Sequence, residues 1–344
     1  MCGGGGVPRW YGAPIPVIVP GNVRVGADGD YVGPLCGGSF ASVYDWLEDR
    51  AKINRASTRR QAGAVSLANI VTAHRHRKQI LKSVKTPATS VASAFYSSAQ
   101  MNAVPAIIAA SSAAPGGRAP TNLTAGAMPF NNPPSGEQTR VLTFAHTNQG
   151  GQRASLLYDR IFDVVKTMSS TGTEAVTGVP TRYQGTTRGD EDFAGNNFLF
   201  PEIVATLGAT AHNWTVCTYT DQNGNAGATL PSFAGISAGV VGRVDSNLTG
   251  TWFMPLASGD DGIQKLTQMQ CSASVSGTLN FVMGHPLAWG MNLTATLDEI
   301  QDGILSAFDM ERVFDDACLC QLQIMNSSSA SSMRSFLKMV SITP

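Results

Sequence analysis

Charged side chains make up only 14% of this 344-residue chain, well below the roughly one quarter typical of soluble globular proteins. The 24 basic and 24 acidic residues cancel to a net charge of +0, which excludes a global pull toward nucleic acid or a membrane surface. Any electrostatic recognition must therefore be local. No apolar run approaches membrane-spanning length, and Met1-Cys2 leads into Gly3 to Gly6 rather than a basic n-region and an apolar h-region, so no signal peptide is expected. The six cysteines (Cys2, Cys36, Cys217, Cys271, Cys318, Cys320) contain no CxxC pair, and buried free thiols are the simplest reading. Asn-x-Ser/Thr triplets, as at Asn122 and Asn247, carry no weight in a chain this rich in Ser and Thr.

Chemistry-bearing motifs are equally sparse. A P-loop, a GxSxG elbow and a dinucleotide fingerprint are all missing. The five histidines (His74, His76, His146, His212, His285) show no HExxH spacing. His285, beside Pro286, reads as the structural end of a strand. Gly259-Asp260-Asp261 has the polymerase-like GDD spelling but follows an apolar strand with no companion carboxylate motif, so an acidic turn is expected. Asp190-Glu191-Asp192 reads as a solvated acidic loop, with a cation site as the alternative. No enzyme activity, cofactor or metal is expected.

What the sequence does have is small residues, with 36 Gly, 18 Pro and long Ala/Ser/Thr tracts. Residues 1–38 read as an extended Gly/Pro-rich arm. Ser39 is a plausible N-cap for a helix carrying Phe40, Val43, Leu47 and Ala51 on one face, and a second helix is expected from about Gln61 to Lys85, so 39–86 reads as a helical basic segment. Ten of the 24 cations lie between Arg50 and Lys85, among them Arg59, Arg60, Arg75, Arg77 and Lys78. Residues 87–140 read as an Ala/Ser/Pro-rich linker, either disordered or laid along a partner.

Strand signals follow over 141–293: VLTFAH, NFLFPEIVA, NWTVCTYT and GTWFMPL, with Asn223-Gly224 as a turn between Tyr219 and Ala228. RASLLYDRIFDVVKTM has mixed periodicity and could be helix or strand. In TQMQCSASV and LNFVM the odd positions Met269, Cys271, Ala273, Val275, Leu279, Phe281 and Met283 are all apolar. Matching faces across a hairpin would need a three-residue loop at Ser276-Gly277-Thr278, pairing Val275 with Leu279, Cys271 with Met283 and Met269 with His285. Over 294–344, Thr296-x-x-Glu299 is a capping-box signature for an acidic helix, and CLCQLQIM and FLKMVSI read as a last hairpin. Asp298, Glu299, Asp302, Asp315 and Asp316 make that region acidic.

The basic segment has three readings: a solvated helix face, docking onto the acidic 298–316 region of another copy, or contact with nucleic acid through 50–85, which is not favoured. Tyr44 and Trp46 precede the charges rather than interleaving with them, so base stacking is not indicated.

Between Tyr158 and Leu287 the phrases TMSSTGTEAVTGVPTRYQG, NFLFPEIVATLGATAHNWTVCTYTDQNGNAGATLP, GTWFMPLASGDDGIQKLTQMQCSAS and NFVMGHPLAW resemble structural proteins encoded among the head and virion genes of tailed bacteriophages. The resemblance implies a virion component assembled in the bacterial cytoplasm. The expected fold is mainly β: an antiparallel, jelly-roll-like β-sandwich with an extended, partly helical N-terminal arm and a C-terminal helix plus hairpin. The expected role is a capsid-associated cement, decoration or minor head protein, its partners being other copies of itself and other virion proteins. A neck, tail or major capsid protein is one alternative. A carbohydrate-binding sandwich is the other, and the placement of Trp214, Trp252 and Trp289 in strands rather than loops argues against it.

Overall fold

A computed structural model of the chain describes residues 24–25, 31–32, 39–40, 67–86, 91, 94–148, 152–247, 253–291, 299–302, 310–325 and 332–343. The chain divides into two compact units, 1–62 and 63–344. In the first, three two-residue strands, β1 (Arg24–Val25), β2 (Tyr31–Val32) and β3 (Ser39–Phe40), pair antiparallel in sequence order. Ser39 and Phe40, expected to open a helix, are strand here. The rest of that predicted helix, the tetraglycine, Arg59 and Arg60 lie outside the described residues.

The second unit is mainly β, with three antiparallel sheets. Its elements are α1 (Leu67–His76), β4 (Lys78–Thr86), β5 (Phe95–Ser97), β6 (Asn102–Val104), β7 (Gln138–Asn148), β8 (Gln152–Thr167), β9 (Glu174–Ala175), β10 (Phe198–Ala205), β11 (Asn213–Asp221), β12 (Ala226–Thr229), β13 (Phe233–Ala234), β14 (Ile263–Cys271), β15 (Thr278–Met291), β16 (Glu299–Asp302), β17 (Arg312–Val313), β18 (Leu319–Met325) and β19 (Met333–Ile342). The central sheet runs β10-β15-β8-β18-β5. A second sheet runs β12-β11-β14-β9, with β13 also on β11. The third runs β16-β7-β19-β4-β6, with β17 also on β7.

The central and second sheets form a sandwich. Ile161, Val164, Leu199, Leu279, Phe281 and Met283 pack against Trp214, Cys217, Tyr219, Leu266, Met269 and Cys271 in one apolar cluster. The opposite face of the central sheet is covered as well, by a second cluster around Tyr158, Phe198, Phe200 and Val282. A third joins Leu157, Leu287 and Leu319 to Phe144, Leu337 and Met339 of the third sheet. Every described side chain of β8 from Ala154 to Lys166 is buried. Burial on both faces removes the alternation that marks a half-exposed strand, which is why RASLLYDRIFDVVKTM had no clear period. It is strand.

The predicted hairpin is corrected. The parity holds, since Met269, Cys271, Val275, Leu279, Phe281 and Met283 are buried in the sandwich core, although Ala273 is only half-buried. However, β14 pairs with β11 and β9, and β15 pairs with β10 and β8. Residues 272–277 cross from one sheet to the other, so the matching faces look at each other across the core instead of lying side by side. His285 sits opposite Asp159, not Met269. The last hairpin fails the same way: β18 joins the central sheet and β19 the third.

Three further expectations change. The helix predicted to Lys85 stops at His76, and the alternating KQILKSVKT becomes β4, paired over eight residues with β19. Glu299–Asp302, expected inside an acidic helix, is β16 on the edge of the third sheet, paired with β7; Asp298 lies outside the described residues. Residues 94–140, taken as linker, belong to the compact unit: β5 pairs with β18, and Ile108, Ala127, Met128 and Phe130 are buried. Where β18 ends opposite Asp159, residues 113–118 take over the free edge of β8, exchanging backbone hydrogen bonds between Arg118 and Asp163 at 2.7 and 2.8 Å. The Asn223-Gly224 turn stands as the sequence predicts, with Tyr219 opposite Ala228.

Candidate functional residues and the buried charge network

β8 carries Asp159, Arg160, Asp163 and Lys166, all 0% exposed. Ionised groups inside a sheet core survive only if paired and hydrogen-bonded, and each of these is. A register shift opposite Met283 and Gly284 leaves Ile161 unmatched, and the bulge sets Arg160 and Asp163, three residues apart, on one face. Arg160 grips Glu202 of β10 through two bonds of 3.0 Å and donates to Asp163 at 2.6 Å. Asp163 also takes a two-pronged contact from Arg118, at 3.1 and 2.8 Å. Glu202 further accepts from Gln100 and Asn280, each at 3.2 Å. Burial works against the Arg160 charge, but Glu202 and Asp163 outweigh it and hold the guanidinium protonated. Burial likewise disfavours ionised Asp163, and Arg160 and Arg118 more than reverse it.

On the other face, Asp159 receives Arg182 at 2.7 and 2.9 Å and the Cys318 backbone N–H at 2.8 Å. Arg182 also reaches the Pro120 and Arg160 carbonyls. Beside it, Tyr183 stacks on His285, centroids 3.7 Å apart and planes 4° apart. The Asn197 amide group donates to the Tyr183 and Ile263 carbonyls, which turns its oxygen toward His285 Nδ1 at 2.8 Å. The imidazole therefore donates from Nδ1, and burial, pushing its pKa down to about 3, keeps it neutral. His285 is a buried packing and hydrogen-bonding group, but it does not end a strand as its place beside Pro286 suggests: β15 runs on through Pro286 to Met291.

Two more clusters complete the interior. Asp245 collects His212 Nε2 and Trp214 Nε1, each at 2.9 Å, and the Ile236 N–H at 2.7 Å. Burial alone would lower the His212 pKa, and the Asp245 bond and charge raise it overall. Lys85, 2% exposed, donates to the Met101, Pro105 and Ala106 carbonyls at 3.3, 2.6 and 3.1 Å. Burial brings its pKa down to about 8.

Of the predicted assembly contacts, Arg75 and Lys78 are exposed. Arg77 pairs with Glu137 of the same chain. Asp315 and Asp316 are exposed, and Asp316 is held to Asn132 by bonds of 2.7 and 2.9 Å. Glu299 and Asp302 sit in β16 rather than on a helix. Nothing in the described structure draws the basic and acidic sets together within one chain. Glu191, expected in a solvated loop, is anchored by Arg140 and Arg312. Asp260 of the GDD turn accepts from Tyr219 Oη at 2.6 Å. Trp214 is buried, but Trp289 is 57% exposed although it lies in a strand. Among the described residues no three His, Cys, Asp or Glu converge as a metal site, and no helix is long and apolar enough to cross a membrane.

Reading the sequence for motifs missed Arg160, Asp163, Glu202, Asp159 and Asp245. The signal for the first four was present: charges set inside apolar strands, as in LLYDRIFDVV and FLFPEIVA, have to be paired.

No family model and no curated protein matches the sequence. Two solved structures of infectious bursal disease virus align with it. The Gt strain covers 78% of this chain and 82% of its own at 9% identity and a TM-score of 0.14. The Gx strain covers 77% and 80% at 8% identity and a TM-score of 0.15. Likeness at that level carries no argument about fold or function.

Proposed function

We propose that this chain is a structural component of a virus particle, capsid-associated in a tailed phage, acting by symmetric assembly with other copies and other virion proteins. The supporting observation is a coincidence of segments. The stretch from Tyr158 to Leu287 that resembles phage virion proteins also supplies most of β8 and β15 and all of β10, β11 and β14, the strands whose side chains make the sandwich core. Its buried charges are spent on internal pairs that tie β8 to β10, to residues 113–118 and to Arg182. Such an interior suits a block that must present one fixed shape to many neighbours, since closed symmetric assemblies multiply any misfit.

A neck or tail protein uses the same physics. A glycan-binding sandwich is favoured by one feature, the exposed Trp289. The test is mass photometry and negative-stain imaging of the purified chain, with and without residues 1–38. Closed assemblies from the full chain, and a folded but unassembled truncation, are expected. A full-length monomer that binds glycan and is missing from source particles would overturn the reading.

A further inference from the structure

The third sheet has one face turned to the cores and one turned outward. At one end of the outward face α1 packs down, with Ile70 and Ala73 against Leu142, Val340 and Ile342. Beyond α1, no described element packs on that face. Phe336 of β19 lies there, 39% exposed, with Lys82 of β4 directly opposite. Arg334 and Lys338 flank Phe336 two residues away on the same strand, hence on the same face. Lys78 and the 51% exposed Ile80 continue it along β4. Lys78, Lys82 and Arg334 are exposed and Lys338 half-buried, and none of the four makes an ion pair among the described residues.

The charge is one-sided. The strands β4, β6, β7 and β19 read KQILKSVKT, NAV, QTRVLTFAHTN and MRSFLKMVSI, without a single acidic residue. Acids enter this sheet only at its edge strand β16. In a chain of net charge +0, a sheet face with an exposed aromatic surrounded by cations is a local anomaly.

We infer that this face is a platform for single-stranded nucleic acid, Phe336 stacking a base and Lys82, Arg334 and Lys338 meeting the phosphates. Sequence-tolerant single-strand binding combines a cationic track with an aromatic on which bases stack. The sequence hid the arrangement because Phe336 and Lys82 stand 254 positions apart and meet only when β19 pairs with β4. A central aromatic ringed by cations fits a base with its phosphates outside; an acidic peptide from another copy would satisfy the cations but give the ring no stacking partner. The inference goes beyond the structural role proposed above and does not depend on it.

The experiment is fluorescence anisotropy of the full chain with fluorescein-labelled dT20 and rU20, and with a labelled poly-glutamate as the acidic-peptide probe, across a salt series. Oligonucleotide binding that weakens with salt is expected, with little binding of poly-glutamate. Phe336→Ser should weaken oligonucleotide binding about 5- to 100-fold, and Phe336→Tyr should restore it. Lys82→Gln, Arg334→Gln and Lys338→Gln together should reduce the slope of log K against log salt by about 2. Lys265→Gln, on the second sheet, should change neither. No oligonucleotide binding, binding that ignores the Phe336 and triple variants, or preference for poly-glutamate would each overturn the inference. Urea midpoints of every variant, expected to match the parent, separate lost binding from lost folding.

Discussion

Glu202→Gln is the sharpest test of the interior. The Glu202 carboxylate is 0% exposed and takes four donor contacts, two from Arg160 and one each from Gln100 and Asn280. The substitution keeps the shape but removes the charge and turns one acceptor into a donor. Arg160 is then left with Asp163, which the partly exposed Arg118 already shares, so the fully buried guanidinium has only a share of one carboxylate. Removing one partner of a buried pair costs about 3–5 kcal/mol. For a urea m-value of about 3 kcal/mol/M, this lowers the midpoint by about 1–2 M. The measurement is urea unfolding followed by intrinsic fluorescence, with m required to stay constant. A loss below about 1 kcal/mol would mean that water or a rearranged partner replaces Glu202 and that the network is not the closed circuit described here.

His212 is protonated more readily in the fold than in the unfolded chain, so its contribution is fully present below its unfolded pKa and lost as pH rises through the folded one. Urea midpoints should fall as pH rises above the unfolded imidazole value of about 6.5, and His212→Gln should flatten that fall; an unchanged slope would refute the Asp245 assignment. Lys85 has the opposite sign, because a pKa lowered to about 8 means that the unfolded chain holds more protons above that value. The parent should therefore gain stability relative to Lys85→Met as pH rises from about 8 to 10. At pH 7 the variant should still be weaker by about 1–3 kcal/mol, since three carbonyls lose their donor; a variant as stable as the parent would refute that. Gly262→Ala would place a Cβ 2.2 Å from the Ala194 carbonyl oxygen. A backbone obstacle cannot rotate away, so a loss of about 1–3 kcal/mol by thermal melting is expected.

What the sequence showed most clearly was which side of a strand is buried, and what it could not show was which strand lies beside it. Met269, Cys271, Leu279, Phe281 and Met283 were identifiable as core from their parity, and they are core. Parity says nothing about whether residues 272–277 turn back within one sheet or cross to another, because both solutions bury the same face. β18 and β19 repeat the lesson. Lys85 shows a different limit. By charge it belongs with the exposed cations before it, yet β4 points it inward to the Met101, Pro105 and Ala106 carbonyls, and only the strand phase separates it from Lys78 and Lys82. Residues 94–140 lack periodicity because they follow the surface of other elements, their hydrogen bonds going to β8, β18 and β4 rather than to a ladder of their own. The face around Phe336 depends on a strand pairing that no local window contains.

The placement of charge on β8 answers a problem that its burial creates. In a half-exposed strand, a one-residue slip carries apolar side chains into water, and that penalty fixes the register. β8 is covered on both faces, so a slip exchanges one apolar environment for another and the hydrophobic pattern specifies little. Arg160 and Asp163 supply the missing penalty, because a slip would carry Arg160 from Glu202 on β10 and Asp163 from Arg118, leaving charges buried and unpaired. If this is their role, Arg160→Met with Glu202→Leu should cost much less than Glu202→Gln alone, since apolar replacement of both partners leaves Asp163 and Arg118 as a balanced pair. The double variant should nonetheless show heterogeneous hydrogen exchange along β8, where the parent protects one set of amides. A double variant with parent-like protection would mean that register is fixed elsewhere and the charges serve only to pair with one another. Heterogeneous exchange would show stability and uniqueness to be separable in this strand.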